Sequence, residues 1–236
     1  MRVVSLVPSL TEAVALTAPG MLIGATDWCV HPAGLQVTRV GGSKYPDLDA
    51  VLALRPDLVL MNVEENRESD AAALRSAGIG LHVTYPRTVS QALDELGTLF
   101  EVLGVARPAW LDQAVAAWSF PPVTPLRQAV IPVWRKPWVV LGSDTFAGDV
   151  LARLGIGNVF GSSPERYPRP SLQEILDRRP ELAVLPDEPY KFTASDGPFA
   201  PIPYALVSGR HLTWYGPSLT DAPLILNGQL RVLSDP

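Results

Sequence analysis

Two glutamates, Glu64 and Glu188, lie 124 residues apart (188 minus 64), and each follows a short apolar run, Leu58–Met61 and Leu182–Leu185. A carboxylate just past a strand can accept hydrogen bonds from ligand amides or bind a cation. The plain alternative is a solvated loop acid at each strand end. Asn62 adds an amide to the first of these loops. Val133-Trp134-Arg135 sets a flat ring beside a guanidinium, which can stack on a planar group and pair with a phosphate or carboxylate. Trp138 reads as core. Trp28 follows the second expected strand, where its ring either packs on a flat face or lids the core edge. With six Trp and six Tyr in the chain, many at strand ends, packing alone does not explain the placement.

Catalytic patterns are missing. The chain has no Gly-x-Ser-x-Gly elbow, no P-loop and no Gly-x-Gly-x-x-Gly after a strand. Ser143, at an expected helix start, suits an anion but has no base assigned to it. His31, His82 and His211 match no zinc spacing, and Cys29 is the only thiol. His31 would be the best axial ligand for a metal-macrocycle, but each histidine reads as structural. No catalytic residue and no metal site is expected.

These side chains need a scaffold. The chain has 236 residues, 47% hydrophobic and 18% charged, which suits a compact globular protein with a large core. A net charge of −5 gives no overall basic field for nucleic acid or anionic lipid. A single cysteine excludes an internal disulfide. No apolar run approaches the roughly 18–20 residues of a membrane span, so no membrane insertion is expected. Met1–Pro8 reads as a core strand rather than a signal peptide. As written, the chain is expected to be cytoplasmic, or extracytoplasmic if a leader has been removed.

Strands are expected at 3–7, 22–26, 57–61 and 81–84, with Pro8-Ser9 closing the first. Ser9 or Thr11 offers an N-cap for a helix over 12–17. Further helices are expected at 48–54, stopped by Pro56, at 69–77, capped by Gly78, and at 89–103, ending at Gly104. The alternation implies a parallel sheet covered on both faces. Leu48-Asp49-Ala50-Val51-Leu52-Ala53-Leu54-Arg55-Pro56-Asp57-Leu58-Val59-Leu60 recurs without gaps as Leu172-Gln173-Glu174-Ile175-Leu176-Asp177-Arg178-Arg179-Pro180-Glu181-Leu182-Ala183-Val184. Two copies of one α/β unit mean two similar lobes. Strand 3–7 and its helix are matched to strand 138–141 and a helix over 146–154. The expected organisation is an N-terminal lobe at 1–105, a linker at 106–132 and a C-terminal lobe at 133–236. A short helix over 110–118 and prolines 121, 122, 125 and 132 make that linker stiff.

Pro8-Ser9-Leu10-Thr11-Glu12, then Gly41-Gly42 before Pro46-Asp47-Leu48-Asp49, then Leu54-Arg55-Pro56-Asp57-Leu58-Val59, resemble the substrate-binding proteins of cobalamin, haem and ferric-siderophore importers. This is the helical-backbone metal receptor family. Gly142-Ser143, Leu154-Gly155 and Gly157-Asn158-Val159-Phe160 carry the likeness through the second lobe. It covers nearly the whole chain and is nearest to cobalamin-binding members. The resemblance implies an α/β fold of two Rossmann-like lobes with mostly parallel sheets, holding ligand in a cleft between them. It implies non-catalytic binding of a cobalamin-like corrinoid, with haem or a ferric siderophore as the alternative. An enzyme or chaperone acting on a tetrapyrrole is the alternative of another class. It adds Tyr45, in the Gly-rich loop, Tyr167, and Trp214 or Tyr215, in the stretch 212–217 that ends an expected late strand, to the ligand contacts, beside Trp28, Asn62, Glu64, Trp134, Arg135 and Glu188. Relatives usually dock on an ABC permease through one glutamate per lobe. The matching positions here are Asp49 and Gln173, a shorter acid and a neutral amide, which weakens both contacts. The connecting helix is also shorter than the family's.

Overall fold

A computed structural model describes residues 1–121, 123–196 and 202–231; Pro122 of the expected linker lies outside the described residues. The chain divides into two compact units. The first comprises Met1–Pro86, Ala92–Asp112 and Tyr215–Pro217; the second comprises Arg87–Gln91, Gln113–Trp214 and Ser218–Pro236.

The first unit is built on β1 (Val3–Ser5), α1 (Pro8–Thr17), β2 (Leu22–Ala25), β3 (Thr38–Arg39), α2 (Leu48–Ala53), β4 (Leu58–Asn62), α3 (Glu68–Ser76) and β5 (Gly80–Thr84). Its five strands are all parallel, in the order β3-β2-β1-β4-β5. The β-branched and leucine-rich strands are buried along both faces, as a covered parallel sheet requires. Val4, Leu6, Val59 and Met61 pack on Val51 of α2 and on Ala71 and Leu74 of α3. Each such fully buried aliphatic side chain stabilises the fold by about 1.5–3 kcal/mol. Helix α4 (Val89–Leu103) and helix α5 (Ala109–Ala117) follow.

The second unit contains β6 (Arg127–Val130), β7 (Pro132–Trp134), β8 (Val139–Val140), α6 (Phe146–Arg153), β9 (Ile156–Asn158), α7 (Leu172–Asp177), β10 (Leu182–Pro186), β11 (Tyr204–Val207), α8 (Gly209–Thr213) and α9 (Ala222–Arg231). Four strands form a parallel sheet in the order β11-β10-β6-β9, and β7 and β8 form a separate antiparallel pair.

The internal repeat is structural. Helices α2 and α7 begin at Leu48 and Leu172, and strands β4 and β10 at Leu58 and Leu182, each pair at the same spacing. Their buried anchors correspond: Val51 with Ile175, Val59 with Ala183, Met61 with Leu185. Even the turn is reproduced. Arg55 and Arg179 both adopt left-handed backbone, with φ of 46° and 50°, just before the proline that ends each helix.

Three sequence expectations are corrected. Strand 138–141 is not the counterpart of β1. Val3 of β1 pairs with Leu58, and Ala129 of β6 pairs with Leu182, so β6, inside the expected linker, is the true counterpart. The β7–β8 hairpin is an insertion after it. The stretch from β9 to α7 is shorter than that from β2 to α2, which masks the insertion in the overall spacing. Helix α1 begins at Pro8, with Val7 as an N-cap that supplies no side-chain bond. Proline at the first helical position needs no N–H partner, so Ser9 and Thr11 are interior and buried. Residues before Trp214 form helix α8 rather than a late strand, and His211 lies in it.

Candidate ligand site at the strand ends

In open parallel sheets, ligands bind beyond the carboxyl ends of the strands, where the strand order reverses. In the first unit that point lies at β1 and β4, and in the second at β6 and β10. The loops leaving these strands and their neighbours carry most of the expected contacts.

After β4 the chain makes a pinned turn. The Asn62 Oδ1 accepts from the backbone N–H of Glu64 at 2.7 Å and of Glu65 at 3.3 Å. The Asn66 Oδ1 accepts from Asn62 N at 2.7 Å, and Asn66 Nδ2 donates to the Leu6 carbonyl and, at 2.9 Å, to the Ser43 carbonyl. The loops after β1, β3 and β4 are thus tied together. Asn62 itself is buried, and its Nδ2 donates to the Tyr215 hydroxyl at 2.6 Å. Tyr215 is buried too and also shares a 2.8 Å bond with Thr84 Oγ1. Burial, with Glu65 nearby, holds the phenol well above its usual range. Both residues therefore have their polar atoms engaged within the unit.

Trp28 is 68% exposed and Tyr45 is 72% exposed. Gly41, at φ 81°, and an isolated bridge between Gly41 and Pro46 present Tyr45 at the tip of a tight loop. The Arg67 guanidinium lies 4.7 Å above the Tyr45 ring, while its own charge is met by Asp70 at 2.6 Å. Glu64 is exposed, and its carbonyl accepts from Lys44 Nζ at 3.3 Å.

In the second unit Trp134 sits at the end of β7, 46% exposed, edge-on to Tyr190 at 5.6 Å. Arg135 pairs with Asp196 at 2.5 Å and lies over Trp138, which also stacks on Phe192 of the core. Bonds from Thr193, then from Arg135 and Tyr190, hold the Asp196 carboxyl below its ordinary range. Trp138, expected in the core, is half-buried and packs against it. Tyr167 is 39% exposed and is carried by a segment bonded alongside β8, through Val140 N to the Pro168 carbonyl and Gly142 N to the Arg166 carbonyl. A side chain at Gly142 would collide with that segment. Glu188 accepts from Trp214 Nε1 at 3.1 Å, and Trp214 is buried. A depression of about 310 Å³ lies where β9 ends, lined by Arg87, Gly142, Ser143, Asp144, Thr145 and Asn158 among others.

Asp49 and Gln173 are exposed on α2 and α7, and Gln173 donates to Asp177 at 2.8 Å. His211 bonds Ser208 at 2.8 Å. Among the described residues no group of three or more His, Cys, Asp or Glu is placed to hold a metal ion. No helix there is long and apolar enough to cross a membrane.

No family model matches the chain. Curated relatives do. The chain is 27% identical over 194 residues to the vitamin B12-binding protein of Photorhabdus laumondii, covering 78% of this chain and 70% of the relative. It is similar to vitamin B12-binding proteins. Solved structures agree on the fold. The periplasmic vitamin B12-binding protein of Vibrio cholerae superposes with a TM-score of 0.77 at 19% identity, covering 98% of this chain and 96% of that one. A periplasmic haem-binding protein from Pseudomonas aeruginosa gives 0.76 at 22%, covering 100% and 94%. The chain and these structures share a mixed α/β architecture on parallel sheets.

One residue in the pinned loop was missed by sequence reasoning. Glu65 keeps some solvent contact, yet burial crowds its carboxyl and, with Glu64 beside it, pushes the pKa up to about 8. The repeat drew attention to Glu64, and nothing in the sequence separates two adjacent glutamates. Only the turn imposed by Asn62 decides which one faces inward.

Proposed function

We propose that the chain is a non-catalytic binding protein for a cobalamin-like corrinoid, with strand-end loops as its ligand contacts. The lobes assigned from sequence, 1–105 and 133–236 with 106–132 between them, are its working parts, the second taking in β6 from the stretch between. The observation that carries the reading is the exposure of four flat side chains on strand-end loops, Trp28 and Tyr45 in the first unit and Trp134 and Tyr167 in the second. A soluble protein gains nothing from leaving such rings in water, and a bulky planar guest gives them a surface to cover. The similarity to vitamin B12-binding proteins points to the same guest. Tyr45, Trp28, Trp134, Tyr167 and Glu64 are its contacts, with Arg135 and Glu188 at its edge. Asn62 and Tyr215 hold the loop after β4 in place, and Trp214 holds Glu188. Titration with cyanocobalamin, followed by tryptophan quenching, tests this; saturation at micromolar ligand is the expected result, and an unchanged signal overturns it.

The haem-binding protein from Pseudomonas aeruginosa shares the fold, so haem is the second reading, with ferric siderophores behind it. Parallel titrations, and the visible spectrum of the protein as purified, separate the three. An ABC permease is the proposed partner, docked through α2 and α7, with Asp49 and Gln173 making weaker contacts than a glutamate pair. The site of action is extracytoplasmic, a reading supported by the periplasmic setting of the Vibrio cholerae protein.

A further inference from the structure

We propose that Glu65 is a ligand-contacting residue, offering its carboxyl as a hydrogen-bond donor to an amide carbonyl of the bound molecule. This rests on the corrinoid reading and deepens it, since a corrin ring is rimmed with amide side chains. Glu65 sits at the carboxyl end of β4, next to β1, where the strand order of the first sheet reverses. Its backbone is fixed by the Asn62 Oδ1, and the loop that carries it is tied to the ends of β1 and β3 through Asn66. Such a residue presents its side chain without an ordering cost at the moment of binding.

The surroundings determine what that side chain can do. The groups that face it electrostatically are Glu64, the Cys29 thiol and the Tyr215 phenol, with Glu95 also acting on that phenol. None is a cation. The basic side chains of the adjacent loops have other partners: Arg39 donates to the Thr26 and Cys29 carbonyls, Arg67 to Asp70, and Lys44 to the Glu64 carbonyl. Among the described residues no donor bonds the Glu65 carboxyl. A carboxyl hemmed in by acids and burial retains its proton at neutral pH, which agrees with its raised titration. A neutral carboxylic acid donates one hydrogen bond, whereas an ionised one only accepts. The site therefore selects an acceptor, such as an amide carbonyl, and disfavours a second carboxylate.

The test is cyanocobalamin affinity of the full chain from pH 6.5 to 9.5, with Glu65→Gln, Glu65→Ala and, as a control on the outer face of α3, Glu68→Gln. Glutamine keeps a donor that does not titrate. The wild type is expected to weaken severalfold above pH 8, Glu65→Gln to stay within about threefold and lose that pH dependence, and Glu65→Ala to lose about tenfold. Glu68→Gln follows the wild type. Infrared difference spectra of the unliganded protein, wild type against Glu65→Gln, should show a protonated carboxyl at pH 7. An ionised Glu65, an Ala variant of unchanged affinity, or a Gln variant as weak as Ala each overturns the inference alone. A wild type that binds no cyanocobalamin at any pH overturns the corrinoid reading and this inference with it, whatever the infrared spectrum shows.

Discussion

Asn62 donates to the Tyr215 hydroxyl across 2.6 Å, although 153 residues separate them in the chain. The same asparagine turns its other amide atom to the backbone of the loop after β4. One side chain thus fixes a late segment of the chain and a strand-end loop together. Replacing Tyr215 by Phe removes one partner each from the buried Asn62 Nδ2 and Thr84 hydroxyl, which keep a 3.4 Å bond to each other and, from Thr84, a 3.1 Å bond to the Met61 carbonyl. We expect a loss of about 0.5–1.5 kcal/mol in chemical denaturation, the net worth of a hydrogen bond whose partners keep others. A loss below that range would mean the bond adds little beyond ring packing.

Trp28 and Tyr45 should behave in the opposite way. Both are exposed, so Ala at either site is expected to change stability by less than about 0.5 kcal/mol. Each should nevertheless weaken cyanocobalamin binding by about tenfold, because exposed aromatic anchors act through the guest they cover. Equal effects on stability and affinity would argue against a contact role.

Arg55 and Arg179 pay for their left-handed turns, a conformation that costs a side-chain-bearing residue roughly 1–2 kcal/mol. Glycine removes that penalty but loosens the unfolded chain. Arg55→Gly and Arg179→Gly are each expected to be stabilising by up to about 0.5–1 kcal/mol. Measuring both in thermal unfolding also tests whether the two turns are equivalent; opposite signs would show that they are not.

Glu65 and His82 are among the groups that give the stability a pH dependence. The Glu65 pKa is raised on folding, from 4.5 to about 8, so the folded state holds the proton more tightly. Its contribution is fully present below about pH 4.5 and is lost as pH rises toward 8. Glu65→Gln should therefore flatten the decline across that window. His82 has the reverse sense. Burial lowers its pKa below 6.5, so the unfolded state binds the proton more readily. Stability is lost as pH falls below about 6.5, and His82→Asn should blunt that loss. A Glu65→Gln variant whose denaturation midpoint declines as steeply as the wild type from pH 6.5 to 8 would contradict the first assignment.

The sequence made the parallel sheets and their helices legible because the strands are β-branched runs and the helices end at Gly or Arg-Pro. The repeat over 48–60 and 172–184 placed α7 and β10 close to where they lie. The same repeat misled at β6. Arg127-Gln128-Ala129-Val130 has little apolar character at its start, while Val139-Val140-Leu141 looks like a core strand. Register, seen only in the pairing of Ala129 with Leu182, settles the matter. Site residues were legible by type and by place along the chain. Which of them keep free polar atoms was not, since the bonds that occupy Asn62, Tyr215 and Trp214 come from far along the chain.

The β7–β8 hairpin belongs to one copy of the duplicated unit and has no partner strand pair in the other. Duplication therefore did not freeze the two copies: the later one acquired an exposed ring, Trp134, where the first has no chain to carry one.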